Sequence, residues 1–271
     1  MFDRPEVNYL RFDSTGELVR FADERIAMSP DVRANALYGD TGRVEEAQKL
    51  MEQFAAELAT TFTTDEACVA GAFPIVPEAL MGEPECMRMP TEQAGELAPL
   101  TIFVDLTTSG GIPAQEIMIR GTSTLALVMA LSAQRPVSLE VGCAMDGRRA
   151  ASGLRAGERL SVISTVIDTA PLDVATAAWY LTSADAARRL IYRLQGHSRV
   201  HNSSGGWPRL DGVPYGAPSD PKAEARMREI LDLPGEALFL PAVSAYQSED
   251  MRRQLTDPVG WIREKLEQFG K

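Results

Sequence analysis

Asp105, Thr107 and Ser109 occupy alternate positions in Asp105-Leu106-Thr107-Thr108-Ser109-Gly110. A chain leaving a β-strand can turn a carboxylate and two hydroxyls at that spacing toward one point. Such a set suits Mg²⁺ or Mn²⁺, because hard divalent cations take oxygen donors and keep several of their waters. Three protein oxygens then make part of the shell, and a partner's carboxylate can complete it. The same side chains also suit a local role, since Asp and Ser oxygens accept hydrogen bonds from backbone N–H groups close by. Arg120, which precedes Gly121, is the second candidate. Its guanidinium is a planar fork that can bind a carboxylate bidentately. At the mouth of a strand-end cleft, Arg120 would anchor a partner's carboxylate or pair with Glu116; a solvated surface charge is the alternative.

Other patterns carry less chemistry. Cys86 follows two acids, Glu83 and Glu85, which oppose the thiolate. His197 and His201 are the only histidines, and Ser203-Ser204-Gly205-Gly206 just beyond them breaks a helix that could aim both at a metal. No Gly-x-Ser-x-Gly elbow supplies a serine nucleophile. Gly153 and Gly157 lack the Gly-Lys-Ser/Thr continuation of a phosphate loop. Trp179, Trp207 and Trp261 read as core and loop anchors rather than a base-stacking platform. Three cysteines are too few and too scattered for a disulfide framework or a cysteine-rich zinc site.

The elements that must position these residues are those of a folded protein. The 271 residues are 45% hydrophobic and 24% charged, which excludes wholesale disorder. With 38 acidic and 27 basic side chains, the net charge of −11 repels a phosphate backbone unless basic residues cluster. Two clusters are present: Arg148, Arg149, Arg155 and Arg159, and Arg188, Arg189, Arg193 and Arg199. They carry an alternative reading, an accessory protein binding DNA or RNA; solvated helix and loop faces are the plainer one. No run reaches the ~18 apolar residues of a membrane span, so no membrane partner is expected. Charges in the first residues, where a signal peptide is apolar, favour an intracellular protein.

Leu100 to Leu106 is an apolar run ending in Asp105, which predicts a strand buried on both faces. A glycine turn comes next, then a buried helix within 114–133, with Gly121 expected at a close helix–sheet approach or a tight turn before residue 122. Pro136 stops it, and strands are predicted at Val137 to Met145 and Arg159 to Asp168. Helices are predicted at 172–182 and 184–195, then from Asp220-Pro221, then a strand at Ala237 to Leu240 and a last helix from Asp257-Pro258. This alternation predicts an α/β fold: a central, mostly parallel sheet with helices on both faces. Before it, residues 1–96 read as an irregular, α-containing extension packed on a main domain of 97–271. Its one clear helix starts at 41, with Thr41 as N-cap, and 69–92 is too rich in Gly and Pro for regular structure throughout.

Strand, D-x-T-x-S-G, short spacer, buried helix, Pro, strand resembles the opening of von Willebrand factor A domains and their metal-ion-dependent adhesion site. The likeness covers about residues 99–145. It implies a Rossmann-like fold and a site in which Asp105, Thr107 and Ser109 hold Mg²⁺ or Mn²⁺. That family adds a Thr and an Asp from later loops; Asp168 is the positional choice for the Asp, with Asp173 beside it. A second likeness runs through Tyr38-Gly39-Asp40-Thr41, Gly71 to Met87, Arg120-Gly121 and Ala186 to Tyr192. These pieces resemble, in order, a bacteriophage-borne family of unknown function, which implies a phage or prophage protein in the host cell cytoplasm. Together the readings lead to a non-enzymatic binding and assembly module with a protein partner. A hydrolase using Asp105 and Asp168 is the remaining option.

Overall fold

The computed structural model describes residues 6–45, 66–68, 73–74, 87–89, 98–108, 111–132, 134–146, 159–196, 228–229, 231–243 and 249–269. The strands are β1 (Glu6–Phe12), β2 (Glu66–Cys68), β3 (Phe73–Pro74), β4 (Met87–Met89), β5 (Leu100–Asp105), β6 (Val137–Asp146), β7 (Arg159–Ile167) and β8 (Leu238–Leu240). The helices are α1 (Thr15–Asp23), α2 (Pro30–Tyr38), α3 (Ala114–Ser132), α4 (Val174–Thr182), α5 (Tyr192–Gly196), α6 (Glu249–Thr256) and α7 (Pro258–Phe269). A π-helix, Ala186–Ile191, runs directly into α5.

The main sheet has the order β1-β7-β6-β5-β8, and β2, β4 and β3 form a small antiparallel sheet of their own. Within the main sheet β5 pairs in parallel with both β6 and β8, and β1 in parallel with β7. By contrast, β6 and β7 run antiparallel. The sheet is therefore mostly parallel and the fold is α/β, as the alternation of elements predicts.

The first residues join the main sheet. β1 is the edge strand of the main sheet, in register with β7 from Glu6 opposite Arg159 to Phe12 opposite Thr165. α1 begins where it does because Ser14 caps it: Glu17 N–H donates to Ser14 Oγ at 3.2 Å, and Glu17 Oε2 accepts from Asp13 N–H at 3.1 Å. Ser14-Thr15-Gly16-Glu17 is thus the S-x-x-E helix-start pattern.

The helices pack on the sheet through its alternating side chains. Side chains alternate across a strand, and the two faces of β5 join different cores. Ile102 and Val104 pack in one cluster with Leu18, Val32, Leu125, Ala177, Leu190 and Ile262, drawn from α1, α2, α3, α4, the π-helix and α7. Phe103 faces the other way, with Val162, Leu231 and Phe239, its ring stacked on Phe239 at 5.7 Å. Among the described residues, these helices lie on one face, and the helical residues 228–229 lead into Leu231 on the other.

Individual residues differ in smaller ways. The helix beginning at residue 41 is capped by Asp40, not Thr41: Asp40 Oδ1 accepts from Gly42 N–H and Arg43 N–H. The rest of that predicted helix lies outside the described residues, as does most of the one after Asp220-Pro221. Trp179 and Trp261 are core residues, and Trp207 lies outside the described chain.

Candidate functional site

Parallel pairing sets the carboxyl ends of β5, β6 and β8 side by side. β5 sits between β6, its successor, and the late strand β8. Strand order reverses there, and open α/β sheets place their ligand crevice at such a point. Asp105 is the last residue of β5 and is fully buried, like Thr107. Asp105 Oδ1 accepts the Thr107 N–H at 2.9 Å, so the carboxylate folds the chain back as it leaves the strand. The Thr107 carbonyl then accepts the Val243 N–H at 3.0 Å, joining this turn to the chain beyond β8.

The turn is held from the helical face. Thr108 N–H donates to the Tyr192 hydroxyl at 2.9 Å, and Gln195 Nε2 donates to the Cys143 carbonyl at 2.8 Å. Tyr192 and Gln195 lie in α5, immediately after the π-helix. A π-turn adds a residue to each helical turn and so rotates the residues after it, which is why such turns recur at functional sites. The Thr107 side chain hydrogen-bonds both the Cys143 thiol and the Tyr192 hydroxyl.

Arg120 closes the cluster. It lies inside α3, only 4% exposed, within the span expected to be helical and not in a turn before residue 122. Its Nη2 donates to the carbonyls of Asp105 at 3.2 Å, Leu240 at 3.4 Å and Pro241 at 2.7 Å. Arg120 thus stands at the strand ends, as its position suggested, but grips main-chain carbonyls rather than a carboxylate fork-to-fork. Gly121 is also inside α3. A Cβ there would fall 2.3 Å from the Leu181 carbonyl oxygen, so the close approach is to α4, not to the sheet.

Electrostatics set the protonation states. Burial lowers the Arg120 pKa to about 10, with the Asp105 charge opposing the shift, and the guanidinium stays charged at neutral pH. Burial raises the Cys143 thiol well above its ordinary value; Asp105 pushes the same way, against Thr107 and Arg120. Burial also raises Tyr192, helped by Cys143 and Asp105. Cys143 and Tyr192 therefore remain protonated, and neither is a nucleophile at neutral pH.

The other site candidates separate from this cluster. Ser109 lies outside the described residues, as do Cys86, His197 and His201. Asp168 is exposed and at the opposite end of the sheet. Asp105 pairs with Gly142, and Gly142 with Ser164. From Ser164, Asp168 lies four residues further along β7, about 13 Å away at 3.3 Å per residue. Thr169 Oγ1 bonds the carbonyl of Val137, the first residue of β6, which fixes that location. Asp173 is beside it, capping α4 through Thr176 N–H. Asp168 therefore cannot join Asp105 as a ligand or as a second catalytic carboxylate, which also removes the hydrolase option.

The described donors do not fit a resident Mg²⁺ or Mn²⁺. Asp105 Oδ1 already accepts the Thr107 N–H, the Thr107 side chain faces Cys143, and the Arg120 charge acts on the same carboxylate. Among the described residues, no group of three His, Cys, Asp or Glu could hold a metal. In the second arginine cluster, Arg189 pairs with Asp31 and Asp185, Arg193 donates to the Ala27 carbonyl, and Arg199 lies outside the described residues. In the first cluster, Arg148, Arg149 and Arg155 lie outside the described residues.

Cys143, Tyr192 and Gln195 were not foreseen as site residues. Each stands in a segment whose pattern reads only as core strand or helix. Among the described residues, no helix is long and apolar enough to cross a membrane. No curated protein and no solved structure matches the chain. One family does, over residues 20–270, and the chain belongs to it: a domain of unknown function, DUF7192.

Proposed function

We propose that this chain is a non-enzymatic binding and assembly module that meets a protein partner at the carboxyl ends of β5 and β8. The observation that carries the reading is the way separate elements are tied together at the strand ends. Arg120 Nη2 donates to the carbonyls of Asp105, Leu240 and Pro241, and Tyr192 and Val243 hold the turn beside them. Such a cluster holds a shape and presents a surface. The order strand, Asp-containing turn, buried helix, Pro136, parallel strand supports a von Willebrand A-like build over about residues 99–145. The segment likeness in the sequence supports a phage or prophage setting and the host cytoplasm.

The test is site-specific photocrosslinking in host cells. A photoreactive residue replaces exposed Gln115, on the first turn of α3 beside the strand ends, or exposed Asp168 at the far end. One discrete protein adduct from position 115 and none from 168 supports the reading. Adducts from 168 alone, or none from either, overturn it. Nucleic acid crosslinked at either position would favour the DNA- or RNA-binding alternative.

A further inference from the structure

The geometry points to Arg120 as the built-in cation of the strand-end site: its guanidinium holds the place a divalent metal would take, and the site is organised without metal. The inference deepens the strand-end reading above, but its test reads stability rather than partner contact, so the two can fail separately.

The carbonyls of Asp105, Leu240 and Pro241 converge on the single nitrogen Nη2 of Arg120. These oxygens come from the ends of β5 and β8, the two strands that flank the reversal in strand order. Nη2 carries only two protons, so three oxygens around it make an arrangement closer to ion coordination than to a bidentate fork. The charge is also buried in the middle of α3, where a guanidinium is costly unless its surroundings answer it. Carbonyl dipoles and the Asp105 carboxylate answer it here.

The helix is fixed so that Arg120 reaches this point. The Arg120 carbonyl accepts from Ser123 Oγ at 2.9 Å and from Gln254 Nε2 at 3.3 Å. Gly121 lets α3 lie against the Leu181 carbonyl. A second cation beside Asp105 would meet a fixed like charge in a region of low dielectric, where repulsion is strong. The Arg120 and Asp105 charges therefore offset one another through space, and the turn at Thr107 rests on the Asp105 carboxylate and on the strand end that Arg120 holds.

Thermal melting of the full chain at neutral pH tests this, in chelator and in millimolar Mg²⁺ or Mn²⁺. The parent is expected to melt at the same temperature in all three. A rise with either cation that disappears in Asp105→Asn would overturn the proposal. A charge-balance cycle gives the second arm. Arg120→Met and Asp105→Asn each lower the melting temperature, and the double variant melts above Arg120→Met, because removing the carboxylate removes the charge left unanswered. A double variant that falls by the sum of the two losses would make Arg120 a packing residue and overturn the proposal. Should Arg120→Met fail to fold, Arg120→Gln takes its place in the cycle, and the cation titration of the parent and Asp105→Asn still decides.

Discussion

Glu140 and Arg120 are both charged, and each is only 4% exposed, yet the sheet answers the two charges differently. Glu140 lies mid-strand in β6. Its Oε1 accepts from the Tyr9 hydroxyl at 2.8 Å and from Ser164 Oγ at 2.5 Å, and its Oε2 accepts from Arg11 Nε at 3.0 Å. These donors come from β1 and β7, so this cluster stitches the edge strand to the sheet. Arg120 reaches across elements instead: it bonds carbonyls at the ends of β5 and β8, beside a turn that Tyr192 and Val243 also hold. The first cluster is a seam within neighbouring strands. The second is where several separate elements meet, and it can change shape only if several move together. A charge satisfied by neighbouring side chains serves the fold, whereas one that ties distant segments at a reversal in strand order prepares a site.

The contrast breaks first at Arg120. Arg120→Met removes the charge that answers Asp105 and leaves the strand-end carbonyls without their donor, at a cost of about 3–5 kcal/mol. Denaturant unfolding should show that loss as a lower midpoint with the slope retained. Gly121→Ala comes next, at about 3 kcal/mol, because the new methyl meets the rigid Leu181 backbone rather than a yielding side chain. The same measurement checks it.

Glu140→Gln sharpens the contrast from the other side. It keeps the shape but loses the charge that three donors address, an expected cost of about 2 kcal/mol. The loosening should be confined to β1 and emerge as faster proteolysis near the N-terminus. Tyr192→Phe takes away the acceptor of the Thr108 N–H and should cost about 1 kcal/mol. Partner crosslinking at the strand end should suffer more than the small stability change implies.

The smallest effect lies on the surface, at Asp31. Its hydrogen bond with Ser29, and then Arg189, lowers its pKa from 3.8 to about 2. A depressed carboxylate stabilises the fold above its unfolded value, so the contribution is complete above pH ~4 and is lost as pH falls through about 2. Melting curves of the parent and Asp31→Asn should differ at neutral pH and converge in acid.

Much of this arrangement can be read in the sequence, for physical reasons. β5 and α3 are apolar on most sides, and only a strand buried on both faces and a buried helix satisfy that pattern at those lengths. Asp105 at the strand's carboxyl end is a direct consequence. Strand direction is not, because one β-branched run looks the same in either sense. β7 runs antiparallel to β6, which carries Asp168 away from the site it was expected to join. β1 escaped notice because its partner is some 150 residues away and only Leu10 and Phe12 mark an apolar face, opposite Tyr9 and Arg11. Ser14 and Glu17 carry a helix-start pattern that the expectation of an irregular N-terminal segment passed over. The π-helix has no periodicity that separates it from an α-helix over six residues, so the turning of Tyr192 and Gln195 toward the site emerges only from tertiary packing.

Residue-resolved amide hydrogen exchange in Arg120→Met, against the parent, tests most directly whether Arg120 organises the strand-end site rather than the core at large. In the parent, Thr107 and Thr108 N–H, bonded to Asp105 and Tyr192, should be as protected as the β5 amides. In the variant, those two amides should lose protection while Leu10 in β1 and Ser164 in β7 keep theirs relative to global unfolding. Equal loss at both places, or turn amides that exchange freely already in the parent, would contradict the account.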